Sequence, residues 1–228
     1  MTVALEHPCK PEVLALGGTS IRREVVGQFQ FGCVIDNRPV ALPDWRVTTD
    51  DSGVAAEVAR IVGGRTESAL INGSDPLEVV TESPSVQVGP GGIATHMKLW
   101  GSRGLMHHCD GVVFLSPDGA RGRPCGCPRL MADRKEQAKL GRGPQSNTVA
   151  IFRLAGNYDM GDFRFQSISW KLAETVRDVR GELAALDDST LCELSLEAVE
   201  FGTKSGRRVS YYKPVVKALG PWRLEGAG

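Results

Sequence analysis

From Gly27 the apolar side chains Phe29, Phe31, Cys33 and Ile35 alternate with Gln28, Gln30 and Gly32, which is the two-residue period of a half-buried strand. Residues 45–49 predict a second short strand. Asp50 or Ser52 is then placed to cap a helix that carries Val54, Val58, Ile61 and Val62 on one face, with Gly63 and Gly64 ending it. Two further β-rich runs follow at residues 77–81 and 86–88, separated by Pro84, before a Gly/Pro break at residues 89–92.

Between residues 101 and 144 the apolar period disappears. Residues 119–144 carry Arg121, Arg123, Arg129, Arg134, Lys135, Lys139 and Arg142 against Asp133 and Glu136. About 40 residues without an apolar stripe need a source of order other than a core. The pattern resumes with a strand at residues 149–154 and an alternating run at Phe163, Phe165 and Ser167. A helix follows in which Trp170, Ala173, Val176, Val179 and Leu183 recur at helical spacing.

The last element reads as a hairpin. Leu194, Leu196 and Ala198 alternate, Lys204-Ser205-Gly206-Arg207 supplies a turn, and Val209 and Tyr211 resume the strand up to Pro214. Its second arm is basic: residues 203–217 hold Lys204, Arg207, Arg208, Lys213 and Lys217 and no acid. Residues 174–200 instead hold Glu174, Asp178, Glu182, Asp187, Asp188, Glu193, Glu197 and Glu200 against Arg177 and Arg180. Such polarity suits either a charged partner or a solvated face.

The fold class expected from these patterns is α+β: a mixed or antiparallel sheet with two main helices and a zinc-ordered loop insertion. The segmentation is a flexible lead at 1–26, an α+β region at 27–100, a Cys/His zinc-binding loop region at 101–148, a second α+β region ending in a hairpin at 149–219, and a tail at 220–228.

Composition narrows the partners. The 228 residues balance 27 Lys+Arg against 27 Asp+Glu, so affinity for phosphate cannot rest on net charge, although local patches remain possible. No apolar run approaches the roughly 18–20 residues that span a bilayer, and residues 1–8 lack a basic segment followed by an apolar one. A cytoplasmic protein without membrane partners is expected.

Cysteine placement supplies the candidate chemistry. Cys9, Cys33 and Cys192 stand alone, whereas His107-His108-Cys109 is followed, after fifteen residues, by Cys125-Gly126-Cys127. Structural zinc takes four soft or borderline donors, normally as two short-spaced pairs. His107 with Cys109 and Cys125 with Cys127 form two such pairs, with His108 as the alternative to His107. The one-residue gaps are tighter than the usual pair spacing. Asp110 is the acid adjacent to the cluster that a catalytic zinc would need as a base, and the structural role is the better reading. No catalytic residue and no nucleotide-binding residue is assigned: a phosphate loop is missing, and Gly202-Thr203-Lys204-Ser205 belongs to the hairpin turn. His7 and His96 are isolated. Trp45, Trp100 and Trp170 sit beside apolar positions and are expected to pack in the core.

The order of short motifs resembles the recombination directionality factors of actinophages that work with large serine integrases. The resemblance spans roughly residues 27–216. It is carried by Gly27-Gln28-Phe29-Gln30-Phe31-Gly32, Ile61-Val62-Gly63-Gly64, Glu78-Val79-Val80-Thr81-Glu82 and Leu99-Trp100-Gly101-Ser102. Cys109-Asp110-Gly111, Cys125-Gly126-Cys127-Pro128, Phe163-Arg164-Phe165-Gln166-Ser167 and the final run from Arg207-Arg208 to Pro214-Val215 complete it. Family members often carry a cysteine at the position of Leu105 and another near residues 143–146. This chain has neither, which makes His107 or His108 the substitute ligand.

The resemblance implies a non-catalytic regulator in a bacterial host cell. It would bind a large serine integrase already on DNA and switch it from integration to prophage excision, with little or no direct sequence-specific DNA binding and no small-molecule substrate. The competing reading, from the basic stretches, is a zinc-containing nucleic-acid-binding accessory protein of phage DNA replication.

Overall fold

A computed structural model describes residues 25–35, 38–68, 76–89, 91–185, 190–203, 206 and 208–222; the lead expected at 1–26 falls almost wholly outside them. Twelve strands and three helices are described. They are β1 (Val25–Ile35), β2 (Arg38–Thr49), α1 (Ser52–Val62), β3 (Arg65–Ser68), β4 (Leu77–Val80), β5 (Ser85–Val88), β6 (Gly92–Gly101) and β7 (Gly104–Cys109). After these come β8 (Phe114–Ser116), α2 (Met131–Lys139), β9 (Gln145–Phe152), β10 (Asp162–Ser167), α3 (Trp170–Ala185), β11 (Thr190–Gly202) and β12 (Arg208–Pro221).

Nine strands form one sheet in the order β3-β4-β2-β1-β10-β9-β6-β7-β8, and β12-β11-β5 form another. The β1–β10 pair is parallel and the other pairs are antiparallel. Strands from 27–100 and from 149–219 therefore lie side by side in the same sheet.

Cross-strand register explains the core. Val79, Val47, Phe29, Phe165, Ala150 and Ile93 stand opposite one another in turn across six strands, and all six are buried. The neighbouring row, Glu78, Thr48, Gln28 and Arg164, is polar, as the two-residue side-chain period requires. Helix α1 adds Val54, Ala55 and Val58 to the apolar face, α3 adds Leu172 and Val176, and the small sheet adds Val86, Val88, Cys192, Leu194 and Leu196. Phe29 meets Trp45, Phe152 and Phe163 edge-on at 5.3–5.9 Å between centroids, and Trp45 Nε1 donates to the Pro84 carbonyl at 3.1 Å, so its polar end is satisfied.

Three local expectations are revised. The cap of α1 is Asp51, not Asp50 or Ser52: its Oδ1 accepts from the Gly53 and Val54 amides at 2.7 and 3.1 Å. Trp100 is 59% exposed rather than in the core. Residues 101–148 hold β7, β8, the third helix α2 and the first four residues of β9, which starts at Gln145 rather than at 149, in addition to loops. Among the described residues no helix is long and apolar enough to cross a membrane.

Candidate metal centre

The site is built at the far edge of the large sheet. Strand β7 alternates, so His107 and Cys109 share one face while Met106 and His108 take the other. Opposite Cys109 lies Met97 of β6, and these two residues with Cys125 form a small buried cluster against which Phe114, Cys127 and Trp170 pack. The His107 ring lies 4.7 Å from that of Phe114.

The chain then returns to this face. Asp110 Oδ1 accepts from the Val112 and Val113 amides at 2.7 and 2.8 Å, turning the backbone directly after Cys109. The Phe114 amide donates to the Arg123 carbonyl, the Gly122 amide to the Phe114 carbonyl and the Cys125 amide to the Val112 carbonyl, at 2.9–3.0 Å. These bonds lay residues 122–125 along β8 and deliver Cys125 and Cys127 beside Cys109. Gly126 between them has φ of 75°, a conformation glycine takes without Cβ strain.

The metal-binding atoms of His107, Cys109, Cys125 and Cys127 all lie within 4.8 Å of one another. Cys109 Sγ and Cys127 Sγ are 3.6 Å apart, and His107 Nε2 lies 3.0 Å from the first and 3.5 Å from the second. Tetrahedral zinc with Zn–S bonds of about 2.3 Å places its sulfurs roughly 3.8 Å apart and its nitrogen and sulfur roughly 3.6 Å apart. Disulfide sulfurs would lie about 2.05 Å apart, and these cysteines are free. The donor set therefore suits a tetrahedral thiolate–imidazole site for a metal such as zinc.

Electrostatics agree with that chemistry. Burial pushes the Cys109 thiol strongly up and raises Cys127, and burial holds His107 below its ordinary value. Without a cation all three groups favour their neutral forms. A divalent ion reverses this for the thiols, because metal binding drives their deprotonation. The Gly111 amide donates to Cys109 Sγ at 3.3 Å, a bond that strengthens when the sulfur is negative.

Arg134 of α2 ties the two halves of the cluster together. Its Nε donates to the Pro128 carbonyl at 2.5 Å and its Nη2 to the Gly111 carbonyl at 2.7 Å, so one guanidinium holds the residues just after Cys127 and just after Cys109. Its charge also pulls Cys127 downward against burial. Gly111 has φ of 94°, and a Cβ there would come within 2.1 Å of Arg134 Nη1. In the sequence Arg134 belongs to a run of basic residues and carries no separate signal.

His108, the alternative ligand, lies on the opposite face, 5% exposed, with its Nε2 2.9 Å from His96 Nδ1 and its Nδ1 2.9 Å from Ser116 Oγ. His96 is thus part of a paired histidine arrangement rather than isolated. Asp110 is engaged in the turn it caps. Of the turn expected at residues 204–207, Lys204, Ser205 and Arg207 lie outside the described residues, and the Gly206 amide donates to the Thr203 carbonyl at 2.9 Å.

A family model described as Gp3-like, recombination directionality factor-like, matches residues 26–218, which takes in nearly all the described strands and helices. No solved structure matches the chain.

Proposed function

The chain belongs to the Gp3-like, recombination directionality factor-like family, and on that premise we propose that it binds a large serine integrase seated on DNA and switches it from integration to excision of an actinophage prophage. The observation that carries this reading is the family match over residues 26–218, supported by the run of motifs from Gly27 to Val215. The protein acts in the bacterial cytoplasm as a non-catalytic partner, through protein contact rather than by reading base sequence.

The switch is a coupling free energy. If the protein binds one arrangement of the integrase more tightly than another, it shifts the integrase population toward that arrangement by the ratio of the two affinities. A hundred-fold preference corresponds to about 2.7 kcal/mol, enough to invert a modest bias between pairs of attachment sites.

His107, Cys109, Cys125 and Cys127 hold one structural zinc in this reading. The ion supplies the cross-link that orders the segment between 101 and 148, in which Cys109, Cys125 and Ala138 are the buried apolar residues. Met97 and Phe114 shield the donors from water, Asp110 turns the chain at Cys109, and Arg134 fixes the two carbonyls that follow the ligands.

Recombination between the left and right hybrid attachment sites, measured with the integrase of the same genome, tests the function. It should occur only when this protein is added. Absence of any effect, with the integrase active on its integration sites, refutes the proposal and puts the nucleic-acid-binding reading in its place.

A further inference from the structure

The three sulfurs of the edge cluster differ in how firmly they are held and how easily solvent reaches them. Cys109 closes β7, opposite Met97 of β6 and Phe114 of β8, and is fully buried. Cys125 is buried too, and its amide donates to the Val112 carbonyl at 3.0 Å. Cys127 is only partly buried. It follows Gly126, which is exposed and, apart from its chain neighbours, has no atom within 4 Å of the place a Cβ would take. The sulfur that solvent reaches is thus also the one carried by a turn with open space beside it.

Distance singles out its partner. Cys127 Sγ lies 3.6 Å from Cys109 Sγ, and a disulfide needs about 2.05 Å, so a closing shift of about 1.5 Å joins them. As thiolates the two sulfurs suit a cation. With two electrons removed they become neutral disulfide sulfurs, and the only donors left to a metal are His107 and Cys125. Redox-sensing cysteines combine a solvent-accessible sulfur with a resolving thiol in reach, which is the relation of Cys127 to Cys109. Cys192, by contrast, is buried among the apolar side chains of the main core.

We propose that the cluster is a redox-sensitive modification site, at which a hydroperoxide oxidises Cys127, Cys109 closes a disulfide on it, and the metal is released. This rests on the zinc site proposed above and adds a means of regulating it. In the first step the Cys127 thiolate attacks the peroxide: an S–O bond forms, the O–O bond breaks, and the distal oxygen leaves as hydroxide, giving a sulfenic acid. In the second the Cys109 thiolate attacks the sulfenic sulfur, an S–S bond forms and a second hydroxide leaves. Two thiolates give up two electrons in all, and the peroxide takes them. The site loses two anionic donors and with them the ion. The new bond ties Cys109 to Cys127 but leaves His107 and Cys125 untied, so the segment 101–148 loosens.

The test treats the full chain, purified with its zinc, with hydrogen peroxide. A chromophoric chelator follows the metal, peptide mass mapping follows the sulfur bonds, and limited proteolysis follows the segment. Release of about one zinc per chain should run in step with a Cys109–Cys127 disulfide and easier cleavage within 101–148, and dithiothreitol with added zinc should reverse all three. Cys127→His keeps four zinc donors while removing the reacting sulfur, so peroxide should release its metal at least about ten-fold more slowly.

Release from that variant at the wild-type rate overturns the proposal. So do zinc retained by the wild type under peroxide, a Cys125–Cys127 bond in place of the Cys109–Cys127 one, and unchanged resistance to cleavage after release. If the variant does not fold, the mapped bond and the metal release of the wild type decide alone. Protein that carries no zinc when purified under reducing conditions without chelator instead refutes the metal site itself, and this proposal with it.

Discussion

Phe29, Trp45, Phe163 and Phe165 stand near the middle of the nine-stranded sheet, each at most 1% exposed, enclosed by α1, α3 and the small sheet. At the sheet's far edge the buried apolar set shrinks to Met97, Cys109 and Cys125, and the neighbours are donor atoms and turns. The first region is ordered by apolar area, which acts without direction and roughly in proportion to the area removed from water. The second has too little such area and depends on directional bonds: an imidazole, three sulfurs and a guanidinium. One lesson is that a single sheet can be held by two unrelated kinds of force, one in its middle and one at its edge. Another is that a perturbation of one kind should pass the other region by.

Removing the proposed zinc is the perturbation with the largest expected effect. Structural zinc contributes on the order of 10–16 kcal/mol of apparent binding energy at neutral pH, which the edge region cannot replace. Protein purified without chelator should hold close to one zinc per chain, and Cys125→Ser or Cys127→Ser should lose it. Limited proteolysis should then cut within residues 101–148 while the aromatic core keeps its near-ultraviolet signal. Metal-free protein with the same resistance to cleavage in that segment would contradict the assignment of the four ligands.

The converse change is Phe165→Ala. It leaves a cavity between Trp45, whose ring lies 5.2 Å away, and Phe31, and should cost about 3–5 kcal/mol. Urea denaturation should show one cooperative loss at a lower midpoint, with zinc content unchanged in the folded protein. A variant that sheds zinc before it unfolds would show that the two regions are coupled.

The difference between the regions also explains what could be read from sequence. The core strands declare themselves because one face is apolar and the other polar: Phe29 alternates with Gln28 and Gln30, and Phe163 and Phe165 flank Arg164. The helix face of α1 follows the same logic; in α3 the expected Ala173 and Val176 are buried together with Leu172, while the side chains of Val179 and Leu183 lie outside the described residues. Strand β7 hides because one row is Leu105, His107 and Cys109, two of them donors, and the other pairs the exposed Met106 with the buried His108, so apolar alternation has nothing to report. Helix α2 hides because Ala138 is its one buried residue, and a helix polar all round carries no stripe. The cluster itself was legible, since His107, Cys109, Cys125 and Cys127 are the set the fold brings together. The choice between His107 and His108 was not, because it turns on which face of β7 meets the returning loop. Nor was Arg134, whose two carbonyl partners exist only once that loop has closed.

Arg134→Met should have the next largest effect, and it acts on the edge alone. Two carbonyls lose their charged donor and the thiolate cluster loses a nearby cation, while β7 and β8 remain paired. Loss of an outer group of this kind typically lowers metal affinity about 10- to 100-fold, measurable by competition with a chromophoric chelator. Arg134→Lys keeps the charge without the two-armed geometry and should fall between the two. If Met and wild type bind zinc equally, Arg134 is a passive neighbour of the site.

The smallest effect lies at the core end and is read by pH. Glu57 of α1 accepts from Arg60 Nε and Nη2, both at 2.7 Å, and from Asn157 Nδ2 at 2.9 Å, and these bonds, Arg60 first and Asn157 second, hold its carboxyl down to about 2. Its ordinary value is 4.5, so the folded state prefers the carboxylate more than the unfolded chain does. That preference is fully present above about 4.5 and disappears as the pH falls toward 2. Because Glu57 is at the surface, solvent screens the pair and the contribution is small. Glu57→Gln should lower the urea midpoint slightly at pH 6, and the gap between variant and wild type should narrow at pH 3. Taking that gap within each pH cancels the acid sensitivity that the proposed zinc site would add. What remains belongs to the bridge between α1 and Asn157, and a gap unchanged between pH 6 and pH 3 would mean that the carboxylate's charge contributes nothing there.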